Sequence, residues 1–242
     1  MLLANNISFY RNNNIIFKDV SLALPPQKII NITGANGIGK TTLLKILTHV
    51  LIPKKGDIFW NGKNIKKNLF NYYKDVTFVM DKQTSNINLS VIENIFFWKK
   101  LFSSIISKKE IDAILDLLSL DSYRNTPINY LSNGEIKKLE LTRLVIERKK
   151  LWMLDEPYIG LDIETINLLN ETFINHTKSG GMIIFSSHYV PEIPNIEWKQ
   201  GPCTQSTSMC VDDGSFINLT SYVISLETAL TSCNKQIEVF AE

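Results

Sequence analysis

The chain has 242 residues, 44% of them hydrophobic and 21% charged, with a formal net charge of +2. That is apolar enough to bury a full core and rules out a disordered chain. No run approaches the roughly 18 uninterrupted apolar residues of a membrane span, residues 1–10 lack the pattern of a secretory leader, and the near-neutral balance gives no ground for a nucleic-acid partner.

In chain order, the first strong element is the β-branched run 28–33, which reads as a buried strand. A glycine-rich segment follows it, then a helical pattern over 40–48. A second strand falls at 76–80. From Gln83 to Asn129 strand patterns vanish and the spacing turns helical, most clearly at 111–118, and another helix covers 135–147. Strand 151–154, helix 164–175 and strand 182–186 complete the series. Strands alternating with helices predict an α/β fold with a mixed, mostly parallel central sheet. The stretch at about 84–145 reads as a short helical subdomain inserted into that core. Past residue 200 the composition shifts. Residues 201–242 hold all three cysteines, Cys203, Cys210 and Cys233, and five carboxylates against Lys235 alone. An odd cysteine count confined to one stretch is no disulfide framework and fits a reducing compartment. The expectation is a folded unit over 1–200 and a poorly packed, disordered extension over 201–242, within which 221–230 could form a short helix.

The segment Gly34-Ala35-Asn36-Gly37-Ile38-Gly39-Lys40-Thr41 fits G-x-x-x-x-G-K-[ST] without a mismatch, with an apolar strand before it and a helix after it. Glycines let successive N–H groups turn towards phosphate oxygens, and the helix adds its positive N-terminal end. Lys40 is placed to neutralise the β- and γ-phosphates, the Thr41 hydroxyl to ligate Mg²⁺, and Thr42 to join the loop's contacts. The expected cofactors are ATP and Mg²⁺. Strand 151–154 runs into Asp155-Glu156, where strand ends open into the ligand crevice of such sheets. Asp155 would hold Mg²⁺ through water, and Glu156 would activate the attacking water.

Between these motifs stands Leu131-Ser132-Asn133-Gly134-Glu135, heading a helix. With the phosphate loop and the Asp-Glu strand, it resembles the ATP-binding-cassette family, whose signature has the form L-S-G-G-Q. Ser132 and Gly134 match it; Asn133 and Glu135 depart from it. Ser132 is also a good N-cap for its own helix. The resemblance implies roles for other residues. Gln83 would be the loop glutamine that joins the core to the helical subdomain and contacts the metal. His188 would be the switch histidine, Gly160-Leu161-Asp162 the loop after the catalytic glutamate, and Tyr10 the adenine-stacking aromatic. Pro25-Pro26 and His49 stand where the family commonly has glycine.

A short helical insertion, Trp60, Trp152, and the run from Ser179 through Ser186-Ser187-His188 make the chain similar to the ATP-binding subunits of cytochrome c maturation exporters. The resemblance implies an ATPase that drives haem export or handling. It implies a head-to-tail homodimer in which Ser132 and Gly134 complete the partner's site. It also implies membrane-spanning exporter subunits as partners and a peripheral location on the cytoplasmic face of a bacterial inner membrane. Other readings are another small exporter, a soluble cassette ATPase such as one for iron–sulfur assembly, or a non-catalytic nucleotide-binding scaffold. The apolar segment 87–101 is where a membrane subunit would dock, which requires at least one of Phe96, Phe97 and Trp98 to be exposed.

Overall fold

The structure, a computed structural model, describes residues 1–12, 14–188, 190–194, 196–200 and 220–225. Its elements in chain order begin with β1 (Leu2–Arg11), β2 (Asn14–Leu24), β3 (Ile29–Thr33), α1 (Lys40–Leu47), β4 (Lys55–Trp60), β5 (Lys63–Asn64), α2 (Leu69–Asp75) and β6 (Val76–Val79). Three helices follow, α3 (Val91–Leu101), α4 (Lys108–Leu117) and α5 (Asn133–Glu147). The chain then returns as β7 (Leu151–Leu154), α6 (Ile163–Lys178), β8 (Met182–Ser186), β9 (Glu197–Gln200) and β10 (Thr220–Ser225).

The strands sort into two sheets, in the orders β2-β1-β4-β5 and β6-β7-β8-β3-β10-β9. Every pairing in the first is antiparallel and every pairing in the second is parallel. The expected mixed sheet is thus two sheets of opposite type. The second half of β2 alternates buried and half-buried positions, whereas β7 and β8 are buried along their whole length. That contrast separates a one-sided antiparallel sheet from a parallel sheet covered on both faces.

The largest core cluster joins the antiparallel sheet to α1 and to the near face of the parallel sheet, with Phe17, Leu43, Tyr72 and Met153 at its centre. Trp60 belongs to it and donates its ring N–H to Asp75 at 2.9 Å. A second cluster packs α6 on the other face and contains Trp152, whose ring stacks on His176 at 3.5 Å between centroids. The helices between β6 and β7 share a third core, built on Ile95, Trp98, Leu115 and Leu139. Each of them starts on a reciprocal capping box, Ser90 with Glu93, Ser107 with Glu110 and Ser132 with Glu135. These S-x-x-E spacings satisfy the first free N–H groups of each helix and fix where it begins.

The expectation of a short helix over 221–230 is corrected for the part described. Thr220–Ser225 is a strand, paired parallel with β3 from Tyr222 opposite Ile30 to Ser225 opposite Thr33. Three β-branched residues and a tyrosine in six positions suit a pleated backbone better than a helix. Apart from this strand's pairing, the expectation that 201–242 is a poorly packed extension, and the three cysteines, lie outside the described residues. At the two family glycine positions the turn is kept by other residues. Gln27, beside the prolines, has φ +64°, and His49 has φ +59°.

Candidate active site

β3 delivers the chain to residues 34–39, where Gly34, Gly37 and Gly39 take φ of 143°, 81° and 116°. L side chains rarely adopt those angles, so the glycines are what permit the curl. Gly39 caps α1 without any side-chain hydrogen bond, leaving the N–H groups of the first turn free for an anion. Ala35, Asn36 and Gly37 are exposed, while Ile38 packs against the main core and anchors the loop.

Lys40 is buried. Its ammonium donates to Gly34 O at 2.6 Å and Ala35 O at 3.3 Å, and lies 3.4 Å from Glu156 Oε1. One residue on, the Thr41 hydroxyl donates to Asp155 Oδ2 at 2.7 Å. This contact crosses 114 residues of sequence and ties the head of α1 to the end of β7. The second oxygen of Asp155 accepts from the Ser186 hydroxyl at 2.7 Å, and that same hydroxyl accepts the Glu156 N–H at 2.9 Å. Glu156 therefore stands on a clamped backbone with φ +47°, its carboxylate between Lys40 and His188 Nε2, 3.3 Å away. Residues from three neighbouring parallel strands, β3, β7 and β8, thus converge at the strand ends, where doubly wound sheets place their ligands. Thr42 is half-buried in the first turn of α1.

Other expected residues stand apart. Gln83 is exposed, and its amide donates to Ser85 O at 3.3 Å; the structure does not bring it to Thr41 or Asp155 as a metal contact. Tyr10 is half-buried in β1 opposite Ile15, and the neighbouring Ile16 and Phe17 are the side chains that close on Gly39. Ser132 is exposed at the head of α5, its hydroxyl accepting the Glu135 N–H at 3.3 Å and donating to that carboxylate at 2.8 Å. The two departures from the family signature have a local explanation. Glu135 closes the capping box, and Asn133 begins the helix without needing a left-handed backbone. Gly134 is constrained instead: a Cβ there would lie 2.9 Å from Gly160 O. Lys138 adds a 2.7 Å pair with Asp162, which also caps α6, and this pairing and the cap hold the Asp162 carboxyl well below its ordinary range.

Three residues in this neighbourhood carry no role that the sequence assigns. Ser186 bridges Asp155 and Glu156, and the only signal was a hydroxyl at the end of the strand before His188. Lys137, buried on α5, reaches Asp155 O at 3.5 Å and Asp81 at 3.8 Å. Burial pushes its ammonium down and the surrounding carboxylates oppose that. Glu140, one turn further, binds the segment after Gln83.

The family model of the ABC transporter matches residues 17–159, well over half of the chain. The chain belongs to the ABC transporter family as an ATP-hydrolysing, ATP-binding subunit. It is 37% identical over 190 residues to the cytochrome c biogenesis ATP-binding export protein CcmA of Reclinomonas americana, covering 77% of this chain and 84% of that one. The CcmA of Idiomarina loihiensis is 33% identical over 190 residues, covering 78% and 85%. Among solved structures, a putative ABC transporter ATP-binding protein from Pyrococcus furiosus superposes with a TM-score of 0.70 at 21% identity, over 94% of this chain and 98% of that one. An ATP-binding cassette solved as a dimer in a post-hydrolysis state with ADP and Pi gives 0.66 at 20% identity, over 78% and 88%. Those two likenesses concern the fold.

Proposed function

We propose that this chain hydrolyses MgATP to drive a membrane exporter in cytochrome c biogenesis. The observation that carries the catalytic part is the joining of the phosphate loop to the Asp-Glu strand through Thr41 and Asp155, with Glu156 held between Lys40 and His188. Thr41 and Asp155 supply adjacent hard oxygen donors, the chemistry that suits Mg²⁺. When bound there, Mg²⁺ would neutralise phosphate charge and polarise the terminal phosphoryl group.

Lys40, paired with Glu156 and two loop carbonyls, is the cation that exchanges these partners for β- and γ-phosphate oxygens. Its transfer to the nucleotide frees Glu156 to accept a proton from the attacking water. His188, exposed on its outer side and in contact with Glu156, orients that carboxylate and faces the γ-phosphate. Ser186 keeps Asp155 and Glu156 in register.

Ser132 and Gly134 make no described contact with this constellation, which agrees with their acting on the site of a second copy in a head-to-tail dimer. The membrane-spanning partner fits the exposed side of α3. Phe96 and Phe97 are 46% and 53% exposed while Trp98, at 3%, packs inside. Ile87 and Ile105 are exposed on the neighbouring turns. Among the described residues no helix is long and apolar enough to cross a membrane, so the subunit would bind peripherally, on the membrane face that meets ATP. The relatives named for cytochrome c biogenesis support the choice of exporter, with haem as the expected cargo.

The test compares two variants in nucleotide binding and turnover. Lys40→Ala should lose both ATP affinity and hydrolysis. Glu156→Gln keeps shape while removing the base, so it should bind ATP, cease turnover and accumulate as a nucleotide-bound dimer. Parental turnover in Lys40→Ala would overturn the phosphate-loop assignment, and parental turnover in Glu156→Gln would overturn the role of Glu156. Co-purification of the chain with membrane subunits supports the exporter reading; partnership with soluble assembly proteins instead would refute it.

A further inference from the structure

Gln83 sits on a segment whose backbone is gripped by side chains of α5. Glu140, 2% exposed, accepts the Thr84 N–H at 2.7 Å and the Ser85 N–H at 2.6 Å on one carboxylate oxygen. Its other oxygen accepts the Thr84 hydroxyl at 2.5 Å. Arg143, one turn on, donates to that same hydroxyl at 3.2 Å and lies 3.8 Å from Glu140. One turn earlier, Lys137 pairs with Asp81 on the other side of Gln83. The three residues fall at i, i+3 and i+6, a single helix face, and all three are buried. Arg143 is fixed in turn by Glu147 at 2.8 Å, and Glu147 accepts the Thr77 hydroxyl of β6 at 2.8 Å.

Burying a charge is costly unless donors surround it, and an apolar residue would fill the same volume without that demand. What the carboxylate supplies is direction: three short hydrogen bonds that permit one placement of Thr84 and Ser85 relative to α5. The head of α5 is Ser132, about 12 Å along the helix from Glu140. Gln83 and Ser132 therefore ride on one rigid body. We infer that Glu140 is a positioning residue for ATP hydrolysis: it locks the Gln83 segment to α5, so that engagement of Gln83 at one nucleotide site carries the head of α5, and Ser132, towards the other. This rests on the proposed roles of Gln83 and Ser132, and it adds a residue that the family signature does not contain.

The experiment uses the full chain with Glu140→Leu, Glu140→Gln and Thr84→Val, read by ATP affinity, kcat and backbone amide exchange. Glu140→Leu leaves the Thr84 and Ser85 N–H groups, the second of them buried, without their acceptor, so both amides should exchange about tenfold faster or more. ATP affinity should stay within about threefold of the parent while kcat falls about tenfold or more. ATP should protect residues 133–135 in the parent and fail to do so in Glu140→Leu although nucleotide is bound. Glu140→Gln retains an oxygen for both N–H groups and should recover most of the kcat. Thr84→Val removes only the hydroxyl shared by Glu140 and Arg143, and should lower kcat in the same direction with affinity unchanged; it decides the question if Glu140→Leu does not fold. Parental kcat in a folded Glu140→Leu or in Thr84→Val, or affinity and kcat falling together, would overturn the inference. Absence of ATP hydrolysis by the parent would defeat the functional reading instead, and loss of ATP-induced protection at 133–135 would still decide the coupling.

Discussion

Ser186→Ala is the sharpest probe of the site, because one oxygen atom is removed from a residue that is fully buried at the end of β8. The hydroxyl donates to Asp155 Oδ1 and accepts the Glu156 N–H, so its loss strips a charged acceptor and a backbone donor at once. A hydrogen bond to a charged group contributes about 1.5–3 kcal/mol, and an abandoned buried N–H costs about 1–3 kcal/mol. The sum, allowing for relaxation, is a loss of about 2–5 kcal/mol, which for a domain of this size lowers Tm by about 4–20 °C. Function should suffer further. Glu156 keeps a left-handed φ that a non-glycine residue does not hold freely, and its N–H anchor is what Ser186 provides. We expect kcat for ATP to drop about tenfold or more with nucleotide affinity largely kept, since Lys40 and the loop are untouched. The comparison is Ser187→Ala, one residue on, which breaks a neutral bond to Asn31 Oδ1 at 3.0 Å. That variant should lose about 1 kcal/mol and retain turnover. Calorimetry and a steady-state ATPase assay read both effects. Parental kcat in Ser186→Ala, or an equal kcat loss in Ser187→Ala, would refute the bridging role.

Burial holds His176 near pKa 4 against an ordinary 6.5, so the unfolded chain takes its proton first; the associated stability is complete above about pH 6.5 and falls by about 2–3 kcal/mol by pH 4.5. Urea unfolding at the two pH values should show that loss in the parent and not in His176→Gln, and an identical pH dependence in both would exclude His176 as its source. Alanine at Phe96 and Phe97 together should leave Tm and ATP turnover of the isolated subunit unchanged while abolishing co-purification with membrane subunits, and retained co-purification would move the docking face elsewhere. Deleting 201–242 removes β10 and bares one edge of β3, so Tm should fall by about 2–4 °C for each kcal/mol lost; an unchanged Tm would show that this pairing adds nothing to stability.

The parallel sheet and its helices were legible because their signals are local: β-branched runs for β3 and β6, continuous apolar runs for β7 and β8, and 3.6-residue spacing between them. The antiparallel sheet was not separated from it, since β1, β2, β4 and β5 carry weaker patterns. The helix starts were legible only in part. Ser132 reads as a cap from the sequence because a signature motif surrounds it, whereas the same S-x-x-E spacing at Ser90 and Ser107 has no such marker. In the site, Lys40, Asp155 and Glu156 announced themselves by motif. Ser186 and Glu140 did not, because each matters through partners 31 and 56 residues away. Only the folded topology makes those neighbours.

The order of pairing in the parallel sheet has a consequence for synthesis on the ribosome. β1, β2, β4 and β5 are complete once residue 64 has been made, so the antiparallel sheet can assemble early from nearby segments. β3 cannot join the parallel sheet so soon: its neighbour β8 sets Ile183 opposite Ile29, about 150 residues later. At roughly 5–20 residues per second, the strand that carries the phosphate loop waits about 8–30 s for that partner. Three of its five residues are isoleucines destined for complete burial, a sequence prone to pair with any exposed edge in the meantime. Asn31, placed among them and bonded in the finished protein to Ser187, gives the waiting strand a polar interruption of the kind that restrains such pairing. A nascent chain with isoleucine or valine at Asn31 would be expected to aggregate during those seconds, before the ATPase has formed.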